Sequence, residues 1–115
     1  MQEYLGIRPR NVAEGALQDV HWGEGLFGYF PTYTLGAIMA YAFFRSARKD
    51  LPDMDKDMEK GDFKKLRQWL KEKIHSQGSL PGTAQQLCIN VTGEEINVTA
   101  YMQYLKEKVE QIYGI

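Results

Sequence analysis

Residues 31–49, PTYTLGAIMAYAFFRSARK, decide the fold. Pro31 can open a helix, because its missing N–H falls among the donors that a first turn leaves unpaired. Arg45, Arg48 and Lys49 put positive charge near the other end, where unpaired carbonyls favour it. Between these ends, LGAIMAYAFF at 35–44 is apolar on almost every side. A helix without a polar face is buried on several sides, and a chain of 115 residues has few elements with which to cover it. The central helix therefore asks for more protein than the chain supplies.

Outward from this helix the pattern stays helical. LPDMDKDM at 51–58 reads as an acidic turn with one or two helical turns after Pro52. Asp62 opens an amphipathic helix with Phe63, Leu66, Leu70 and Ile74 at helical spacing, and HSQGSLPG at 75–82 ends it. Thr83 caps a short helix with Ala84, Leu87, Cys88 and Val91 on one stripe, closed by Gly93. Asn97 caps the last helix, with Val98, Tyr101, Met102, Leu105, Val109 and Ile112 as its apolar stripe. On the other side, MQEYLGIRPR at 1–10 reads as irregular, since Pro9 biases Arg8 away from helix. Asn11 with Glu14 approximates a capping box and predicts a helix to about Trp22. Gly23, Gly25 and Gly28 then predict a loop. No β pattern is present, so the expectation is all-α: about four main helices plus short turns, in a single helical segment over 1–115.

Composition excludes several classes. The 14 basic and 15 acidic side chains are interspersed, with formal net charge −1, so the clustered Lys and Arg of a nucleic-acid binder are missing. The apolar run Leu35 to Phe44 is too short to span a bilayer, which predicts no membrane association. One cysteine, Cys88, permits no internal disulfide and suits a reducing, cytoplasmic setting. Asn90-Val91-Thr92 and Asn97-Val98-Thr99 fit the glycosylation pattern, but both suit helix ends.

The chain carries no HExxH, CxxC, phosphate loop or GxSxG, and His21, His75 and Cys88 have no partners at zinc-ligand spacing. No metal site is expected within it. Cys88 reads as a buried structural thiol and His75 as a surface cation at a helix end. His21 differs by its company in GALQDVHWGEGLFGYFPTYTLG, residues 15–36. Gln18 and Trp22 share a helical face, and Asp19 can accept a proton from the imidazole. Tyr29 and Tyr33, four apart, can project their phenols together. An imidazole with one or two hydroxyls is a set that stabilises a developing oxyanion.

Gly15 to Trp22 fits GxxQDxHW, and GYFPTYTLG follows at 28–36. Together these resemble the C-terminal signature of the Taq-type zinc metallocarboxypeptidases, all-helical zincin-like enzymes of the HExxH type. VTGEEINVTAYMQYLKEKVEQIYG at 91–114 is similar to that family's closing helix. The resemblance implies a protease removing single residues from peptide C-termini, with zinc held by HExxH and a downstream glutamate. It implies that His21 with Tyr33 or Tyr29 binds the substrate backbone and oxyanion. The same resemblance implies that Gln18 and Asp19 orient His21 or touch the terminal carboxylate, with Trp22 beside them in the substrate wall. The HExxH part is absent, so the chain reads as a C-terminal piece, inactive alone. The competing reading is a non-catalytic helical module that binds a protein partner or self-associates, as a homodimer or other homo-oligomer, through the 35–44 helix.

Overall fold

The computed structural model describes residues 2–115. Among the described residues there are seven α-helices, two 3₁₀ turns and no strand. The all-α expectation therefore holds. The chain divides into two compact units, Met1–Tyr33 and Thr34–Ile115.

The first unit is short elements and turns. α1 spans Gln2–Leu5, where irregular chain is expected; Pro9 acts only on its immediate neighbour, three residues beyond the end of this turn. The helix expected from Asn11 to Trp22 is broken. Asn11 Oδ1 does accept from the Glu14 N–H at 3.0 Å, but the cap leads only into a turn. A 3₁₀ turn follows at Ala16–Gln18, and α2 occupies Val20–Gly23. The break has two causes. Gly15 lies against Pro9, where an added Cβ would sit 3.2 Å from the ring carbon Cγ. Asp19 is extended, at φ −87° and ψ 107°, and restarts the helix as an N-cap.

The second unit is built by capping. α3, Phe30–Asp50, runs through Pro31 and stops before Leu51-Pro52, where proline cannot continue a helix. α4 is Met54–Glu59, tied to α3 by Arg48 and Asp55 at 3.0 Å. Asp62 Oδ1 accepts from the Lys64 N–H at 3.1 Å and starts α5, Lys64–Lys73. Thr83 Oγ1 accepts from the Gln86 N–H at 3.1 Å and starts α6, Ala84–Thr92, which Gly93 closes at φ 75°. Asn97 Oδ1 accepts from the Ala100 N–H at 3.1 Å and starts α7, Val98–Tyr113.

Its core is small. Ala47, Met54 and Trp69 form the buried cluster, with Phe44, Leu51, Leu66, Leu70 and Val91 packed around it. Trp69, rather than Phe63, is the buried anchor of α5; Phe63 is 53% exposed. The indole can be buried because its Nε1–H donates to Asp50 Oδ2 at 2.7 Å, leaving no orphan donor. Cys88 is fully buried. The α7 stripe is met in part: Tyr101 meets Tyr41 of α3, joined by Tyr104, and Leu105 is half-buried, whereas Val98, Met102, Val109 and Ile112 face outward. On α3 itself only Ile38 and Ala47 are buried, and Leu35 is about half exposed. No helix among the described residues is long and apolar enough to cross a membrane.

Removing the α6 cap by Thr83→Ala should lower unfolding stability by about 1 kcal/mol in urea titrations. Lys65 Nζ donates to Asp57 Oδ2 at 2.8 Å, and this bond, with the Asp57 charge, raises the lysine above its ordinary pKa. A pKa raised by folding stabilises the protein below the ordinary lysine value and ceases to do so as pH rises through the raised one. Lys65→Met should therefore lack one alkaline step in a plot of unfolding midpoint against pH.

Candidate functional site

The first unit holds an acid–imidazole pair, Asp19 and His21. Asp19 Oδ1 accepts the His21 backbone N–H at 3.0 Å and lies 2.8 Å from His21 Nδ1. The two contacts have one origin. An N-cap carboxylate reaches its N2 amide, and N2 here is the histidine whose ring turns back onto the same oxygen. Both side chains are more than four-fifths covered, at 17% and 18% exposure, in a unit where nearly every other described residue is exposed.

Aromatic rings provide that cover. Tyr29 stacks on the imidazole at 5.0 Å between centroids with planes 19° apart. Phe30 meets it edge-on at 4.8 Å and Tyr33 at 6.0 Å. Tyr29 and Tyr33 are themselves T-shaped at 5.6 Å. The turn at 27–28 places Tyr29 just before α3 and Tyr33 one turn inside it, so both rings fall on the side of His21. Thr32 tightens this entry: its hydroxyl donates to the Tyr29 carbonyl at 2.6 Å.

Asp19, His21, Tyr29 and Tyr33 are thus brought together. Gln18 and Trp22 are placed differently. Gln18 Nε2 donates to the Ala13 carbonyl at 2.6 Å, closing the turn that replaces the expected helix. Trp22 pairs with Phe27 at 6.2 Å and is half exposed. Phe30 is the member that sequence reasoning missed. Its signal was present, since a residue three before Tyr33 shares that tyrosine's helical face.

The chemistry of the pair follows from its geometry. A neutral imidazole that donates Nδ1–H to Asp19 has Nε2 as an acceptor; a protonated one has Nε2–H as a donor beside two phenols. The cluster can accept a proton, or donate hydrogen bonds to an anionic oxygen. Among the described residues, no three His, Cys, Asp or Glu side chains converge to hold a metal ion. The residues present therefore do not fit a resident metal.

A family model described as carboxypeptidase Taq (M32) metallopeptidase matches residues 1–109. Carboxypeptidase 1 of Bacillus subtilis is 44% identical over 112 residues, 97% of this chain and 22% of that protein. Thermostable carboxypeptidase 1 of Pyrococcus furiosus is 40% identical over 108 residues, 94% of this chain and 21% of that protein. A solved structure described as "BsuCP Crystal Structure" superposes with a TM-score of 0.86 at 44% identity, over 97% of this chain and 22% of that one. The chain spans about a fifth of the length of the curated relatives it matches.

Nitrogen-15 NMR of the histidine rings should find neutral His21 protonated at Nδ1. In Asp19→Ala the proton should redistribute to Nε2, while His75 is unchanged.

Proposed function

Because the chain belongs to the carboxypeptidase Taq (M32) metallopeptidase family, we propose that it is the C-terminal part of an enzyme that removes single residues from peptide C-termini. The observation that carries this reading is the identity to named carboxypeptidases across 94% and 97% of the chain. The catalytic ion, read as zinc, belongs to parts of the enzyme outside this chain, and the chain alone is inactive.

Within that enzyme the His21 cluster forms the wall that binds the substrate backbone and the oxyanion. Support comes from the grouping of these side chains around one imidazole. Asp19 fixes Nδ1 at 2.8 Å, so the only other ring nitrogen, Nε2, is the one left for substrate, and the Tyr29 and Tyr33 rings lie within 6.0 Å of the imidazole. Donors held in place before reaction need no reorganisation as charge develops on the scissile carbonyl oxygen, and this is the basis of their catalytic effect. Asp19 is the positioning residue, and His21, as the imidazolium whose Nε2–H can donate, supplies the hydrogen bonds together with Tyr33 or Tyr29. Gln18 retains a second Nε2 proton for the substrate's terminal carboxylate, beside Trp22 as an apolar wall.

The second reading, a self-associating helical module, is favoured by exposed Val98, Met102, Val109 and Ile112 on α7. Contiguous apolar patches of this kind mark interaction sites. For the isolated chain we propose a homo-oligomer, read as a light-scattering mass above 13.2 kDa. A strictly monomeric mass over a wide concentration range would contradict it.

In the complete enzyme, His21→Ala should lower kcat by about 10²-fold or more, and a loss of a few-fold would remove His21 from the oxyanion role. The same enzyme should release the last residue of a peptide with a free C-terminal carboxylate and leave the C-terminal amide uncut. Equal cleavage of both would overturn the carboxypeptidase assignment.

A further inference from the structure

Asp19 holds the His21 imidazole at one ring atom. Its carboxylate lies 2.8 Å from Nδ1, and a single contact in the plane of the ring leaves the ring able to tilt about it. That tilt decides where Nε2 points, so a second contact has to come from the face of the ring. Tyr29 supplies it: its ring lies 5.0 Å from the imidazole with planes 19° apart, whereas Phe30 and Tyr33 approach at 66° and 65°.

Helix energetics do not account for a tyrosine at this place. Position 29 immediately precedes α3, Phe30–Asp50, where Ser, Thr, Asp or Asn would cap the helix with a side-chain oxygen reaching an amide two or three residues on. Tyrosine carries no such short oxygen, and Pro31, two residues on, has no amide hydrogen to offer. A local rule set aside without a local gain marks a residue that serves something else, and the stack on His21 is what this one serves. Tyr29 is instead held by its carbonyl, which receives two hydrogen bonds from Thr32. The Thr32 backbone N–H donates at 3.0 Å and its hydroxyl at 2.6 Å. The residue that sets the tilt of the imidazole is thus anchored through its backbone, and half of that anchor is a side chain.

We infer that Thr32 is a positioning residue of the His21 site: its hydroxyl holds the Tyr29 backbone so that the Tyr29 ring stays stacked on the imidazole and Nε2 keeps its direction. The inference rests on the oxyanion reading of His21 above. Thr32→Val keeps the branching at Cβ and the backbone N–H and removes only the hydroxyl. Thr32→Ser keeps the hydroxyl.

The test is made in the complete enzyme, with carbon-13 at histidine Cε1 and the His21 signal identified by its loss in His21→Ala. An aromatic ring stacked on the imidazole displaces that signal by its ring current, so the shift reads the stack without reference to turnover. Thr32→Val should move the His21 signal toward its position in Tyr29→Leu. It should lower kcat about 3- to 10-fold and leave KM within about two-fold, and Thr32→Ser should restore both signal and rate. In the His21→Ala background, Thr32→Val should cost nothing further, because the two residues act as one unit. A fall in kcat with an unmoved His21 signal overturns the inference, and so does an equal loss in both backgrounds. An unchanged signal and rate in Thr32→Val also overturn it. A signal moved by Thr32→Val and restored by Thr32→Ser, in an enzyme whose kcat falls only a few-fold in His21→Ala, upholds the positioning of the ring while the oxyanion reading fails. If Thr32→Val does not fold, Thr32→Ala takes its place with the same readouts.

Discussion

An apolar helix needs cover on each of its sides, and the rest of this chain is arranged around how little cover is available. α3 carries LGAIMAYAFF in its middle, yet only Ile38 and Ala47 of its residues are buried. Fully burying a large apolar side chain is worth about 1.5–3 kcal/mol, so each one left in water withholds a substantial part of a domain's stability. Trp69, Met54 and Ala47 close one side. The open groove lined by Tyr41, Tyr101 and Tyr104, and the outward Val98, Met102, Val109 and Ile112 of α7, are the sides that remain. The constraint explains why a chain with unambiguous caps and helices has so small a core.

The second organising contact is a single carboxylate oxygen. Asp19 Oδ1 receives both the backbone N–H and the ring nitrogen of His21. The interaction that starts α2 is therefore also the one that orients the imidazole. Local folding and site geometry cannot be separated at this point: a residue that only capped the helix would leave the ring free to rotate. The aromatic rings from 29 to 33 complete the arrangement by limiting where that ring can lie.

Helix starts were legible because capping is local. Thr83 and Asn97 each need only an amide three residues ahead, and the residue types announce the bond. The partnership of Asp19 with His21 was legible for the same reason, at a separation of two residues. The 11–22 segment was not, because the Asn11 cap and the extended Asp19 compete, and the contact of Gly15 with Pro9 helps decide between them. The spacing of Phe30 from Tyr33 was legible, but its place against His21 depends on the turn at 27–28, which composition does not specify.

Residue type and spacing alone determined the all-α class, the capped helix boundaries of the second unit, the family signature from Gly15 to Gly36 and the Asp19–His21 pairing. All of these rest on interactions spanning a few residues. Tertiary structure alone decided that Trp69 rather than Phe63 anchors α5, that α7 turns Tyr101 and Tyr104 to Tyr41 while Val98, Met102, Val109 and Ile112 face solvent, and that Gln18 is drawn to Ala13. A helical stripe shows which residues are apolar. It does not show which side a neighbour occupies, because that depends on elements distant in sequence.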